Sequence, residues 1–276
     1  MEGAESMSEK QKLYLIELKR HKQKIHFLRT FLFLGFLILW EIAGRVGFIN
    51  TFFFSTPCKM TLTFLDLCKN GSLFSHIGYT FFETIISFFL VTILSILISI
   101  WLWNCKTASD VSEPFWVILN ALPKSALAPL FIVWLGTGMK TIIVAGISVT
   151  IFGSIINIYN GFKQVDQDRI KLIYTLGGSK KDVLTKIILP QNIPNIISNM
   201  KVNIGLSLVG VIIGEFLAAR RGLGYLIIYG SQVFQLDMVL MSVMLLCIMA
   251  VIFYGLIHLL EKKITNNLTN RVGGSD

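Results

Sequence analysis

Apolar residues gather in six stretches that reach, or nearly reach, the roughly 20 residues needed to cross a bilayer as a helix. They run over residues 27–43, 85–103, 115–135, 141–159, 193–216 and 238–260. The second and fourth carry no charge. The third is interrupted by Pro123, Lys124 and Pro129, the fifth carries Lys201 and Glu215, and the sixth has only His258 near its end. The pattern predicts an all-α membrane protein of about six transmembrane helices. A charged segment precedes the first stretch and Glu41-Ile-Ala-Gly-Arg45 follows it, which does not suit a cleaved signal peptide.

The flanks divide the chain. Residues 1–26 form a charged tail, readable as a helix lying on an anionic membrane surface or as a solvated lead-in. Residues 27–262 form the transmembrane domain and 263–276 a polar tail. Composition agrees: of 276 residues, 54% are hydrophobic and 15% charged, where soluble domains average about 25% charged. The net charge of +9 raises the question of nucleic acid. Its distribution answers it. With the N-terminus inside, seventeen of the 25 Lys and Arg fall in cytoplasmic segments and six outside, and Lys124 and Lys201 lie within spans. That bias predicts a multi-pass protein of the bacterial cytoplasmic membrane, both termini inside, touching lipid rather than nucleic acid. Cys58 and Cys68 share one predicted loop, so a disulfide there and four free thiols are both open.

The inner segment 160–190 is unlike a tether. Two helical stretches flank Gly177-Gly178, the first over about residues 166–176, the second capped by Ser179 or Asp182. A helix, glycine turn and helix present a rigid surface, either for docking or for packing beneath the bundle.

Motifs for direct chemistry are missing. Gly136-Thr-Gly-Met-Lys140 lacks the spacing of a phosphate-binding loop, and Gly222-Leu-Gly224 lacks the third glycine of a dinucleotide fingerprint. The four histidines have no paired metal-ligand spacing. The chain therefore reads as no enzyme, with no cofactor of its own. Ionisable groups within spans are functional candidates. Lys124 lies between Pro123 and Pro129. Glu215 has a side chain too short to reach far toward the interface, which favours a buried polar partner or a gate. Gly210-Val-Ile-Ile-Gly214 lets two helices approach closely, with a dimer interface as one candidate.

Three blocks carry a family resemblance. Gly177, Ile187, Leu189 and Pro190 match the E-A-A-x3-G-x9-I-x-L-P loop of ABC importer permeases, with Lys171, Leu172 and Ile173 replacing Glu-Ala-Ala. The run from Ala121 to Gly138 resembles the third-span block of the nitrate, sulfonate and taurine branch. Gly214-Glu-Phe-Leu-Ala-Ala-Arg-Arg-Gly-Leu-Gly-Tyr-Leu-Ile227 is similar to the segment after the fifth span. The branch usually has Arg and Gly where this chain has Glu83 and Ser87. The resemblance covers about residues 75–262. It implies the permease subunit of a binding-protein-dependent importer, with the type I permease fold. It also implies a second copy of the chain, an external binding protein, and cytoplasmic ATPase subunits that carry ATP and Mg. The inner segment would then be the ATPase coupling loop, built on Lys171, Leu176, Gly177, Gly178, Ser179, Ile187, Leu189 and Pro190. Glu215, Gly210, Gly214, Lys124, Pro123 and Pro129 are candidates for the path or gate. The solute would be a sulfonate, taurine, nitrate or a vitamin precursor such as a pyrimidine or flavin. A channel or secondary carrier working without ATP is the alternative.

Overall fold

The computed structural model describes the backbone of residues 9–272 and the side chains of 17–264 apart from 22 and 26. Among the described residues every regular element is helical. Five helices are long and apolar enough to span a membrane, and a sixth span exists if one bent pair counts as one. The chain divides into two units, residues 1–63 and 64–276.

The first unit contains α1 (Glu9–Arg45), α2 (Thr51–Phe54) and most of α3 (Pro57–Lys69). The tail and the first apolar stretch form one continuous helix, with no break near residue 26. The tail's apolar residues Leu13 and Ile16 lie outside the described side chains. From Phe27 onward the apolar side chains are largely exposed, as suits a helix facing lipid. Glu41 ties the turn after it: Arg45 Nε donates to its Oε1 at 2.8 Å, and the Cys58 backbone N–H donates to its Oε2 at 3.0 Å. Cys58 and Cys68 are both free thiols, as are Cys105 and Cys247, so the disulfide alternative falls.

The second unit is built on three long helices, α4 (Ser72–Asn104), α7 (Met139–Lys163) and α10 (Leu189–Ala218). Small residues set their separation. A Cβ on Gly210 would lie 2.7 Å from Gly146 Cα, and one on Gly214 would lie 2.9 Å from Ile142 Cα. The close approach that Gly210 and Gly214 permit is thus made with α7 of the same chain. Of the partners open to this motif, α7 is the one these two glycines meet. The spacing of small residues shows that some backbone comes near and does not say whose.

A polar ladder joins the same three helices. Ser154 Oγ accepts from Asn199 Nδ2 at 2.7 Å and Asn203 Nδ2 at 2.9 Å, and donates to Ser95 Oγ at 2.9 Å. In hydrocarbon such groups must find partners within the protein, so the ladder fixes register as well as adding stability.

The third apolar stretch is two helices, α5 (Lys106–Ala121) and α6 (Lys124–Leu135), bent by 95° at the break. Leu122 and Pro123 make that break. Pro129 remains inside α6, where only one backbone bond is lost. Two elements fall outside the six-span reading: α11 (Leu223–Gln232), and the α2–α3 pair in the long segment after the first span. The last helix, α12 (Leu236–Val272), extends beyond its apolar stretch, so the tail at 263 begins as helix.

Candidate functional site

Two ends of the second unit carry the candidate residues. At one end, α7 leads into a helical hairpin. Asp166 caps α8 (Gln167–Thr175) by accepting from the Asp168 N–H at 2.9 Å. The chain then turns through Gly177, at φ +81°, a left-handed conformation that L side chains rarely adopt. Gly178 is needed for a different reason: its Cβ would lie 2.4 Å from Ile173 Cγ2 and 2.9 Å from the Ile173 carbonyl.

Ser179 caps α9 (Lys180–Val183) in a reciprocal box. Its hydroxyl accepts from the Asp182 N–H, and its own N–H donates to Asp182 Oδ2 at 3.0 Å. A five-residue π turn, Leu184–Ile188, runs on into α10. Pro190 stands just past this π turn, where the N–H it lacks removes one bond from a helix that otherwise continues without a break. Ile187 and Leu189 pack against a core of Ile158, Phe162, Val165, Val183 and Ile188, which roots the hairpin on α7. Lys180 Nζ donates to the Asn104 carbonyl at 2.7 Å and lies over the Trp103 ring, which ties the hairpin to the end of α4.

The opposite face of this hairpin is bare. Leu172, Tyr174 and Leu176 are 58%, 48% and 74% exposed. Lys171 points outward and, among the described residues, pairs with Asp168 alone, at 3.0 Å. The structure spreads the eight coupling-loop candidates over α8, the glycine turn, the π turn and the start of α10, a continuous stretch at one end of the unit. Ser179 is spent on the cap, and Leu176 is the residue held out.

At the other end, Glu215 is fully enclosed, 1% exposed. Its carboxylate sits at the start of α11. Gly224 N–H donates to Oε2 at 2.6 Å, and the Thr80 hydroxyl of α4 donates to Oε1 at 2.6 Å. The same Thr80 oxygen accepts from the Leu223 N–H at 2.8 Å, and His76 Nδ1 accepts from the Gly222 N–H at 3.0 Å. Three consecutive N–H groups at a helix start are thus met by side chains of two other helices.

The glycines explain how a carboxylate fits. A Cβ on Gly222 would stand 2.3 Å from Glu215 Oε1, and one on Gly224 would stand 2.7 Å from Oε2. Gly222 also has φ +121° and ψ 163°, a conformation that is nearly glycine-only. Sequence reasoning singled out Glu215, marked Glu83 only as a departure from the branch pattern, and missed Thr80 and His76. Their link is long-range, and the available sign was the pair of glycines shortly after Glu215. Glu83 is also 1% exposed and lies next to Glu215.

The remaining candidates scatter. Lys124 starts α6, donates to the Asn120 carbonyl of the preceding helix and is half-buried. Pro123 is its neighbour at the bend. Lys201 pairs with Glu261 of α12 at 2.5 Å. Between α7 and α10 toward the hairpin lies an open, largely polar cavity of about 300 Å³, lined by Asn157, Asn160, Gln164, Asn195, Ser198 and Asn199 together with Gly161 and Val202. Among the described residues no group of three or more His, Cys, Asp or Glu is placed to hold a metal ion.

A helical membrane bundle with a hairpin rooted in its core and bare on its far face belongs to the class of transport subunits that work with a partner. The chain belongs to the family described as binding-protein-dependent transport system inner membrane components, whose model matches residues 48–266. It is similar to the formylaminopyrimidine transport permease protein ThiX of Halalkalibacterium halodurans, 28% identical over 71% of this chain and 78% of the relative. It is also similar to the taurine transport system permease protein TauC of Escherichia coli, 23% identical over 83% of this chain and 85% of that one. A solved structure of the MetNI methionine ABC transporter, inward facing, matches with a TM-score of 0.61 at 16% identity over 71% of this chain and 97% of that one, which supports the fold. The chain is a permease component of a binding-protein-dependent importer, a multi-pass inner-membrane protein. The reading as an independent channel or carrier gives way.

Proposed function

We propose that the chain works as a homodimer with two cytoplasmic ATPase subunits, and that the α8–α9 hairpin is the coupling element. The observation that carries this is the exposure of Leu172, Tyr174 and Leu176 on an element otherwise locked to α7 and α4. Bare apolar knobs on a rigid mount outside the spans suit a docking surface. ATP binding would close the ATPase dimer and draw the two hairpins together. Because each hairpin is rooted on α7 and leads directly into α10, the movement would pass to the helices lining the path. Hydrolysis on the partner, with its Mg, would reset the inward-facing state. A bias of a few kcal/mol is enough to switch a two-state bundle.

The polar cavity between α7 and α10 supports a path on that face. Carboxamides inside a span want water or a solute, and a second copy would enclose them. An external binding protein would deliver solute at the Glu215 end, where Glu215 would steady the outer gate by holding α11 to α4. The Lys and Arg distribution supports a cytoplasmic hairpin and cytoplasmic termini. Two measurements test this reading. A reporter fused at the C-terminus should read inside. Cysteine crosslinks from position 176 should reach the ATPase and respond to nucleotide; an outside reading, or no crosslink in a complex that still turns over, defeats it.

A further inference from the structure

Two enclosed acids meet at the Glu215 end. Glu83 lies on α4 one turn beyond Thr80, and its carboxyl is hydrogen-bonded to that of Glu215 on α10. Both side chains are 1% exposed. An ionised carboxyl only accepts, so two carboxylates have no hydrogen bond to offer each other. A contact of this kind requires a proton on one of them. Two like charges enclosed together would also repel strongly, which keeps one member of such a pair neutral.

The surroundings indicate which acid carries the proton. Glu215 accepts at both oxygens, from the Thr80 hydroxyl at 2.6 Å and from the Gly224 N–H at 2.6 Å. Donors on both oxygens suit a carboxylate. Glu83 is less well served: its Oε2 is buried and has no hydrogen-bond partner. A full charge there would go unmet, whereas a neutral carboxyl leaves only a carbonyl oxygen bare. The charged groups nearby do not change this. Arg220 and Arg221, in the turn before α11, line the same cavity as Glu83, yet among the described residues neither forms an ion pair with either acid. His76 of α4 is taken up by the Gly222 N–H. Tyr79 of α4 and Tyr225 of α11, stacked on His76, are the remaining titratable groups. Thr137, Gly138, Met139 and Ile142, which α7 and the turn before it bring to this wall, have none.

We propose that Glu83 and Glu215 form a proton-binding site, in which a proton carried by Glu83 is donated to the Glu215 carboxylate and fastens α4 to α10. With the proton in place, the pair bears one negative charge, and Thr80 and Gly224 meet it. Once the proton leaves, two negative charges face each other in an enclosed site and push α4 and α10 apart at this end of the bundle. The block of α4, α10 and α11 is thereby closed in acid and at neutrality and loosened by alkali. A bound cation does not suit the site, since donors occupy both oxygens of Glu215 and a divalent ion would want about six oxygens.

Infrared spectroscopy of the permease–ATPase complex in lipid nanodiscs reads the proton directly and needs no solute. At neutral pH the parent should show the carbonyl stretch of a protonated carboxylic acid, and Glu83→Gln should remove it. Glu83→Asp keeps an acid slightly withdrawn, so it should shift the band without abolishing it; it serves in place of Glu83→Gln if that variant does not fold. Melting curves supply the second measurement. Glutamine keeps a donor but cannot ionise, so Glu83→Gln should melt with the parent at neutral pH. A folded block that holds a proton which the unfolded chain releases loses stability as the pH rises. The parent should therefore fall at least about 3 °C below Glu83→Gln in alkaline buffer. An absent acid band, a band that neither substitution moves, melting curves that stay parallel across the pH range, or a stability that follows sodium or calcium instead of pH would each overturn the site. None of these measurements depends on transport, so their failure leaves the permease reading standing, and loss of ATPase docking would leave the proton site standing.

Discussion

The hairpin end and the Glu215 end solve the same problem, a helix start that must be held, by opposite means. At the hairpin, α8 and α9 are capped by their own neighbours, Asp166 and Ser179, and seated by an apolar core. At the far end, the N–H groups of Gly222, Leu223 and Gly224 are met by His76, Thr80 and Glu215, from helices elsewhere in the chain. Local caps make the hairpin's shape independent of the rest of the bundle, to which it is joined by its apolar seat and by Lys180. Cross-helix bonds knit α4, α10 and α11 into one block, and their geometry tolerates little. Substitutions at the two ends should therefore fail differently: loss of stability at one, loss of communication at the other.

The largest effect is expected from Gly222→Val. It places a branched side chain where a single Cβ already meets the Glu215 carboxyl at 2.3 Å, at a backbone conformation suited to glycine. Strain and clash together should cost ~3 kcal/mol or more and lower the yield of folded protein. Fluorescence-detected size exclusion after a heat step measures it; an unshifted melting point would mean that the clamp is slack.

Thr80→Val comes next. The two side chains have nearly the same shape, but valine leaves Glu215 Oε1 and the Leu223 N–H without their shared partner. Stranding buried groups should cost about 2 kcal/mol, read as a lower melting temperature in the same assay. A cost close to zero would show that water replaces the hydroxyl and that this end is less dry than its burial implies.

How much of this was legible in the sequence follows from the same contrast. The hairpin was readable because its determinants are local: an Asp and a Ser at cap positions, two glycines between, and a proline just beyond the second helix. The cross-helix block was not. Glu215 stood out as an acid in an apolar run, and its burial follows from that. But its partner Thr80 is 135 residues away, and a threonine in a span carries no mark of its role. The start of α11 looked like an unfinished nucleotide fingerprint because its cap lies on another helix. Gly210 and Gly214 announced close packing without naming the partner, which proved to be α7 of the same chain. In the third span, composition could not tell a kinked helix from two helices at 95°, since Pro123 and Pro129 read alike while only the first sits at the break.

Gly177→Val sharpens the comparison from the other end. The position has φ +81° but open space around its missing Cβ, so only backbone conformation is at stake. A left-handed β-branched residue should cost about 1–2 kcal/mol, spent locally on the turn. The spans should insert and the bundle should melt nearly as before, while ATP-driven uptake falls severalfold. If instead the whole bundle loses stability as it does with Gly222→Val, the hairpin is part of the same block and the contrast between the ends fails.

The smallest structural effect, and the most selective functional one, belongs to Leu176→Asp. The side chain is 74% exposed and supports nothing within the chain, so stability should stay within about 0.5 kcal/mol of the parent. Helix α8 ends at Thr175 and Leu176 is its C-terminal cap, so an acid here also meets the negative end of a short helix. That interaction is worth a few tenths of a kcal/mol at an exposed site and does not alter the expectation. Docking is another matter. If an apolar groove on the ATPase receives Leu176, a carboxylate would have to be desolvated to enter it, and the complex should weaken at least tenfold. Leu176→Met, which keeps apolar bulk, should leave association nearly intact and so separates loss of the knob from disturbance of the turn. Co-purification of the ATPase with each variant, at matched melting temperatures, reads the difference directly. If Leu176→Asp holds the ATPase as well as Leu176→Met does, the bare face of the hairpin is not where the motor grips. The coupling contact would then move to the capped side, near Ser179 and Lys181.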